Sequence, residues 1–352
     1  MSSPLNSFIR DTVRKMQGYT PGEQPQDRRY IKLNTNENPY PPSPHVLAAV
    51  REAANEDLRL YPDPVADRLR EKAAAVYGLG KENVLVGNGS DELLAILLRA
   101  CVGAGDRVAY PVPTYSLYDA LVAIQEGEAI RVPFPDDFSL PPALFTAGAC
   151  LTFLCSPNSP SGTATPVGQI EELAKHVSGI LVVDEAYVDF AEETALPLLK
   201  QYPHVVILRT FSKSFSLAGM RIGLALGHAD LMVELLKVKD SYNLSRLSLV
   251  AAMATLEDYG WMRQNVERIK AARTHLIQGL RALGFSVYPS QANFVMARRR
   301  GEDLRPLYLG LKERGILVRY FSSPELRDSV RITVGTDEEI EILLRELKVL
   351  MV

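Results

Sequence analysis

Apolar and polar positions change rhythm several times along this chain, and the changes divide it. Helical spacing comes first, at about 45 to 57 and 64 to 77, and Gly78 stops the second stretch. Short runs of valine, isoleucine and leucine follow, reading as strands near 84 to 87, 107 to 110, 129 to 132, 150 to 155, 180 to 183, 204 to 209 and 221 to 226. Between them the three-to-four spacing predicts helices near 90 to 101, 114 to 125, 166 to 177 and 229 to 238. Strands this apolar, joined by stretches long enough for crossover helices, predict a mostly parallel sheet covered on both faces. Ligands on such sheets sit at the carboxyl ends of the strands.

The rhythm changes again after about residue 245: long helical spacing to 283, broken near Tyr259 and Gly260, then strands near 285 to 288, 293 to 297, 316 to 319 and 329 to 334, and a closing helix from 336 to 350. The run Pro39-Tyr-Pro-Pro-Ser-Pro44 forces extended backbone and marks the end of an N-terminal arm. The expected class is therefore α/β: an arm over residues 1–38, a large sheet domain over 39–244, and a smaller α/β domain over 245–352.

Composition narrows the function classes. A formal net charge of −3 gives no reason to expect a nucleic acid or an anionic membrane as partner. The longest apolar block, Leu93 to Leu98, is six residues and far short of a membrane span. The opening stretch to Arg10 lacks the basic start and apolar core of a signal peptide, so a cytoplasmic location is expected. Cys101, Cys150 and Cys155 read as free thiols, and the five histidines show no ligand spacing with them, so no metal is expected.

Five pieces of chemistry fall at predicted strand ends of the first domain. Lys213 leaves an apolar strand between two serines, and a lysine deprotonated by burial or a nearby cation forms Schiff bases. Arg221 supplies such a cation and a phosphate contact. Asp184 closes the run Ile180 to Val183, where a buried carboxylate needs a cation or several donors; a protonated pyridine nitrogen would serve, and Tyr187 adds a phenol nearby. Tyr115 offers an aromatic face, with core packing the equal alternative. Ser90 and Asp91 open a helix after Gly87-Asn-Gly, which is an anion site or simply a capped helix start. Asn158 lies in the donor-rich turn Ser156 to Gly162, a composition that is usually just a turn. Together these groups match what pyridoxal phosphate needs.

On these stretches, with Leu33-Asn-Thr-Asn-Glu-Asn-Pro-Tyr40, Tyr61-Pro-Asp63 and Val330-Arg-Ile-Thr-Val-Gly335, the chain resembles the fold-type I pyridoxal-phosphate aminotransferases, and among them the histidinol-phosphate aminotransferase family. The resemblance implies transamination between histidinol phosphate and a 2-oxo acid such as 2-oxoglutarate, in histidine biosynthesis. Within it Lys213 would bond the cofactor and then act as base, Asp184 would keep the ring nitrogen protonated, Tyr187 would bond the ring hydroxyl and Tyr115 would stack on the ring. Ser90, Asp91, Ser212 and Arg221 would hold the phosphate, joined by Tyr61 from the second subunit of a homodimer. Asn36, Arg319 and Arg331 would bind substrate, the arginines clamping a carboxylate or phosphate. One departure stands out: Ser159 replaces the asparagine that usually donates to the ring hydroxyl, leaving that contact to Asn158 or to Tyr187. An aromatic amino-acid aminotransferase and a decarboxylase of a phosphorylated amino acid share the pattern; a ligand-sensing domain of a transcription regulator would need an added DNA-binding module.

Overall fold

The computed structural model describes residues 8–351. Its strands are β1 (Ile31–Leu33), β2 (Val84–Gly87), β3 (Arg107–Val112), β4 (Glu128–Pro133), β5 (Leu151–Cys155), β6 (Ile180–Asp184), β7 (Val205–Thr210), β8 (Gly223–Leu226), β9 (Ser286–Val287), β10 (Phe294–Arg298), β11 (Ile316–Tyr320) and β12 (Ser329–Thr333). The helices are α1 (Asp11–Lys15), α2 (Pro44–Ala53), α3 (Asp67–Tyr77), α4 (Gly89–Cys101), α5 (Leu117–Ile124), α6 (Val167–His176), α7 (Ala229–Val238), α8 (Arg246–Glu257), α9 (Tyr259–Ala282), α10 (Arg305–Glu313) and α11 (Asp337–Leu350). None of them is long and apolar enough to cross a membrane.

Seven strands form one sheet in the order β2-β8-β7-β6-β5-β3-β4. All its pairings are parallel except those of β8, which runs antiparallel to both neighbours. Burial on both faces explains why the strands read as continuous apolar runs rather than alternations. Along β6, Val182 faces one core and Leu181 and Val183 the other; along β7, Val206 and Leu208 oppose Val205 and Ile207. One core packs the sheet against α4, α5 and α7 through Leu93, Leu97, Tyr118, Val122, Met232 and Leu235. The other runs on without a break into Phe294, Val295, Val330 and Ile332 of a second sheet, ordered β1-β11-β12-β10-β9.

The second sheet takes in part of the expected arm. Residues 31–33 form β1, paired in parallel with β11 through Ile31 with Ile316 and Leu33 with Val318. Three residues are too few for a periodicity to show, so only the partner strand reveals them. The expected strand over 221–226 also shortens, because Arg221 takes a left-handed turn at φ 53° and the ladder starts at Gly223. The long helix breaks at Asp258, next to the predicted point, and Gly78 ends α3 in the left-handed conformation at φ 67°. Helix α10, carried by Leu304, Leu307 and Leu311, had no predicted counterpart.

Candidate active site

A cavity of about 220 Å³ opens where β3, β5, β6 and β7 end and α4 begins. The strand register places its chemistry. Cys155 pairs with Asp184 across β5 and β6, and Asp184 with Leu208 across β6 and β7, so the Asp184 carboxylate and the turn carrying Lys213 emerge side by side. The second sheet closes the cavity with Arg319 and Arg331, which face each other in register, and the segments around Tyr19 to Gly22 and Asn34 to Asn36 complete the wall.

Lys213 points into this space. Its Nζ donates to the Thr35 carbonyl at 3.2 Å, and burial, then the charge of Arg331, brings its pKa down to about 8. Asp184 is only 3% exposed; its Oδ2 accepts from the Tyr118 hydroxyl at 2.8 Å and its Oδ1 from the Ala186 amide at 3.2 Å. Burial pushes its pKa up to about 6, against the pull of those two donors. Among the described residues no cation pairs with it. A buried carboxylate with two donors and no counter-charge, lining a cavity, fits a protonated ring nitrogen.

Tyr187 is buried, its hydroxyl accepts from Asn36 Nδ2 at 3.0 Å, and burial raises its pKa to about 12. Tyr115 lines the cavity with its hydroxyl anchored on Asp91 Oδ1 at 3.0 Å. That bond is one reason the acids at the start of α4 do not repel an anion. Asp91 is turned to Tyr115 and to Arg221, 3.0 Å away, while Glu92 is turned to Asn243 at 2.6 Å. Arg221 also donates to Ser212 Oγ at 3.3 Å. A Cβ added to Gly223 would lie 2.6 Å from the carbonyl carbon of Gly89 and from the amide nitrogen of Ser90, so only glycine lets β8 come this close to the helix start. Gly89 itself sits at φ 77°. The result is a cradle of free helix amides, a hydroxyl and a guanidinium, which fits a phosphate.

Two expected site residues are elsewhere. Asn158 does not line the cavity: its Oδ1 accepts from Thr114 at 2.7 Å and its Nδ2 donates to Pro113 O and Ser161 Oγ at 3.2 and 3.0 Å, so its side chain ties its own turn to the segment after β3. Ser159 faces the cavity instead, with Oγ accepting from Arg331 Nη1 at 3.0 Å. Tyr61 is 80% exposed and stacks on Tyr242 in a separate surface hollow. Arg331 also donates to Asn34 O at 2.8 Å, and Arg319 to the carbonyls of Thr20 and Pro21 at 3.0 Å each. Among the described residues neither arginine has an ion-pair partner, which leaves both guanidinium charges available to an anion in the cavity. Tyr118 carried no predicted role; hidden in the apolar face of α5, it gave no polar signal.

The burial of Asp184 has a measurable consequence. Its folded-state pKa lies above the unfolded value of 3.8, so its contribution to stability is complete below that value and is lost as pH rises through about 6. In the cofactor-free protein this one group should therefore lower stability between about pH 4 and 6, and Asp184→Asn should remove that loss, read as the difference between wild-type and variant melting across pH. An unchanged slope in the variant would count against the buried, unpaired carboxylate.

The model of the aminotransferase class I and II family matches residues 28–347, so the chain belongs to the aminotransferases of classes I and II. Within that family it is 45% identical over 349 residues to histidinol-phosphate aminotransferase 1 of Trichormus variabilis, covering 99% of this chain and 100% of the relative. It is also 45% identical to the histidinol-phosphate aminotransferase of Citrifermentans bemidjiense, over 97% of each chain. Among solved structures it superimposes on the histidinol-phosphate aminotransferase of Sinorhizobium meliloti in complex with pyridoxal-5'-phosphate, with a TM-score of 0.90, 28% identity and 98% of each chain covered.

Proposed function

We propose that the chain transfers the amino group of L-histidinol phosphate to 2-oxoglutarate with pyridoxal 5'-phosphate as cofactor, as a step of histidine biosynthesis. One observation carries the reading: a half-buried lysine whose amine is shifted toward neutrality shares a cavity with a buried carboxylate that among the described residues lacks a counter-cation. When bound, pyridoxal phosphate supplies an aldehyde that takes up the amine and a ring that accepts electrons from the substrate carbon.

The residues of this chain do the rest. Lys213 would hold the cofactor through its amine, and the same amine is placed to move a proton at the substrate carbon. Asp184 holds the proton on the ring nitrogen, and Tyr118 and the Ala186 amide keep that carboxylate in place. Tyr187 and Ser159 would share the ring hydroxyl, Asn158 being committed to Pro113, Thr114 and Ser161. Ser90, Asp91, Ser212 and Arg221 bind the phosphate, and Tyr115 stacks on the ring. Arg319 and Arg331 bind the anionic groups of donor and oxo acid in turn, with Asn36 at the same wall.

The working unit in this reading is a homodimer, in which Tyr61 reaches the phosphate of the neighbouring site. Its exposed ring, set in a hollow with Leu58, Leu60 and Asn88, supports that role. Residues 39–244 serve as the cofactor-binding domain and 245–352 as the small domain, with the segment before 39 bridging to it through β1. Three free thiols, Cys101, Cys150 and Cys155, support work in the reducing cytoplasm.

The test is a half-reaction. Histidinol phosphate added to the loaded enzyme should discharge its visible absorbance, and 2-oxoglutarate should restore it with release of glutamate. Phenylalanine, without the phosphate, should react about a hundredfold more slowly, the worth of one lost charge-assisted anchor. Reaction with phenylalanine but none with histidinol phosphate would sink the substrate assignment, and carbon dioxide release would make the enzyme a decarboxylase.

A further inference from the structure

Beneath the cavity, and outside its lining, lies a buried charge cluster. Arg209, on β7 and four residues ahead of Lys213, sets its Nε 3.0 Å from Glu185 and its Nη1 3.2 Å from Asp189. Its Nη2 donates to Thr194 Oγ1 at 3.1 Å, and its guanidinium lies over the Tyr77 ring, 5.3 Å from the centroid. Glu185 directly follows Asp184 and is further held by the amide of Ala195 at 2.6 Å. The ends of β6 and β7 are thus tied together just below the two groups that line the cavity.

The cluster has one exit toward the site. Asp189 presents its second oxygen, Oδ2, to the hydroxyl of Ser214, a residue 2% exposed and next to Lys213. From the opposite side Asn38 Nδ2 donates to the carbonyls of both Lys213 and Ser214, at 3.2 and 3.0 Å, while its Oδ1 takes the Tyr40 amide. The peptide that carries the lysine is therefore gripped from two sides. Among the described residues the Lys213 side chain itself has a single hydrogen bond, to Thr35 O. Its aim is set at its backbone.

We propose that the Ser214 hydroxyl, held by Asp189 and through it by Arg209, is the positioning contact that aims the Lys213 amine into the cavity. A hydrogen bond to a carboxylate is short and stronger than one between neutral groups, which suits it to fix a backbone orientation. The amine lies several bonds from the backbone, so a small rotation of the peptide becomes a displacement of about 1 Å at Nζ, enough to slow chemistry by up to about a hundredfold. None of Ser214, Asp189, Arg209 and Glu185 lines the cavity, so these residues act through Lys213 and not on a ligand. The proposal rests on Lys213 being the reacting amine.

Ser214→Ala and Ser214→Thr test it in two measurements. In the loaded enzyme, Ser214→Ala should lower kcat about tenfold with the KM for the amino donor unchanged, and Ser214→Thr should recover most of that loss. In the cofactor-free protein, acetylation of Lys213 followed by mass spectrometry across pH should show a midpoint raised by about one unit in Ser214→Ala and returned in Ser214→Thr, as the freed amine swings toward water. A folded Ser214→Ala with wild-type kcat and wild-type midpoint overturns the proposal, even if it melts lower, because a merely structural hydroxyl would move only the melting temperature. If Ser214→Ala does not fold, Asp189→Asn, which keeps a neutral acceptor, is judged by the same two measurements. Loss of turnover in Lys213→Ala with none in Ser214→Ala removes the positioning contact alone; turnover surviving in Lys213→Ala removes the reading beneath it.

Discussion

Lys213→Ala turns over about 10³- to 10⁴-fold more slowly than the wild type, the loss that accompanies removal of a positioned proton-transfer group. As purified with the cofactor it lacks the visible absorbance of a lysine-bound carbonyl. Added small amines restore part of the rate, because the cavity keeps Asp184, Tyr187 and the helix start of α4. Mixing Lys213→Ala with an impaired Tyr61→Ala restores activity, since a hybrid of the two has one intact site. No recovery on mixing counts against Tyr61 serving the neighbouring site. Turnover within tenfold of wild type in Lys213→Ala alone overturns its role.

The same residue has an effect on the protein without cofactor. The folded-state pKa of Lys213, about 8, lies below the ordinary 10.5, so at neutral pH the folded protein buries a charge that the unfolded chain leaves in water. Stability rises with pH between those two values. Lys213→Met removes the burden and melts higher than wild type below about pH 8, and the difference closes above about pH 10.5. Equal melting temperatures at pH 7 would mean that the amine is not buried as charge there.

Arg331→Gln is the second large loss. Its guanidinium lies within 5.2 Å of the Phe294 ring centroid and 5.9 Å of that of Phe321, its Nε has no partner, and among the described residues no carboxylate neutralises it. Two bonds from such a group to an anion are each worth about 1.5–3 kcal/mol, so kcat/KM falls by about 10²- to 10⁴-fold for both the donor and the oxo acid. Arg331→Lys recovers little, because an ammonium cannot bond two oxygens in the plane of a guanidinium. Steady-state kinetics with both substrates decide: a loss confined to one of them would split the roles of Arg331 and Arg319.

Much of this site was legible because charged groups interrupt apolar runs. Asp184 ends a buried strand and Lys213 leaves one, and no packing demand accounts for either. Arg319 and Arg331 stood out for the same reason on β11 and β12. What was not legible depended on direction. Asn158 and Ser159 are neighbours in a turn, both buried, and sequence gives no sign of which one faces the cavity. Tyr118 looks like any core aromatic until its hydroxyl is seen on Asp184. The three residues of β1 carry no pattern of their own and acquire meaning only from β11.

That last pairing bears on how the enzyme is made. The seven-stranded sheet, with Asp184, Lys213 and Arg221, is complete in sequence by Leu226, but the wall opposite is stitched from the two ends of the chain: Asn36 bonds Thr333, 297 residues away. At about 5–20 residues per second, residues 31–36 leave the ribosome tens of seconds before the strands that will hold them. Until β11 and β12 emerge, Thr35 has no frame from which to meet the lysine. A stalled chain ending near residue 245 would carry Asp184, Lys213 and Arg221 with no far wall, so it is synthesis past that point that converts a folded sheet into a working enzyme.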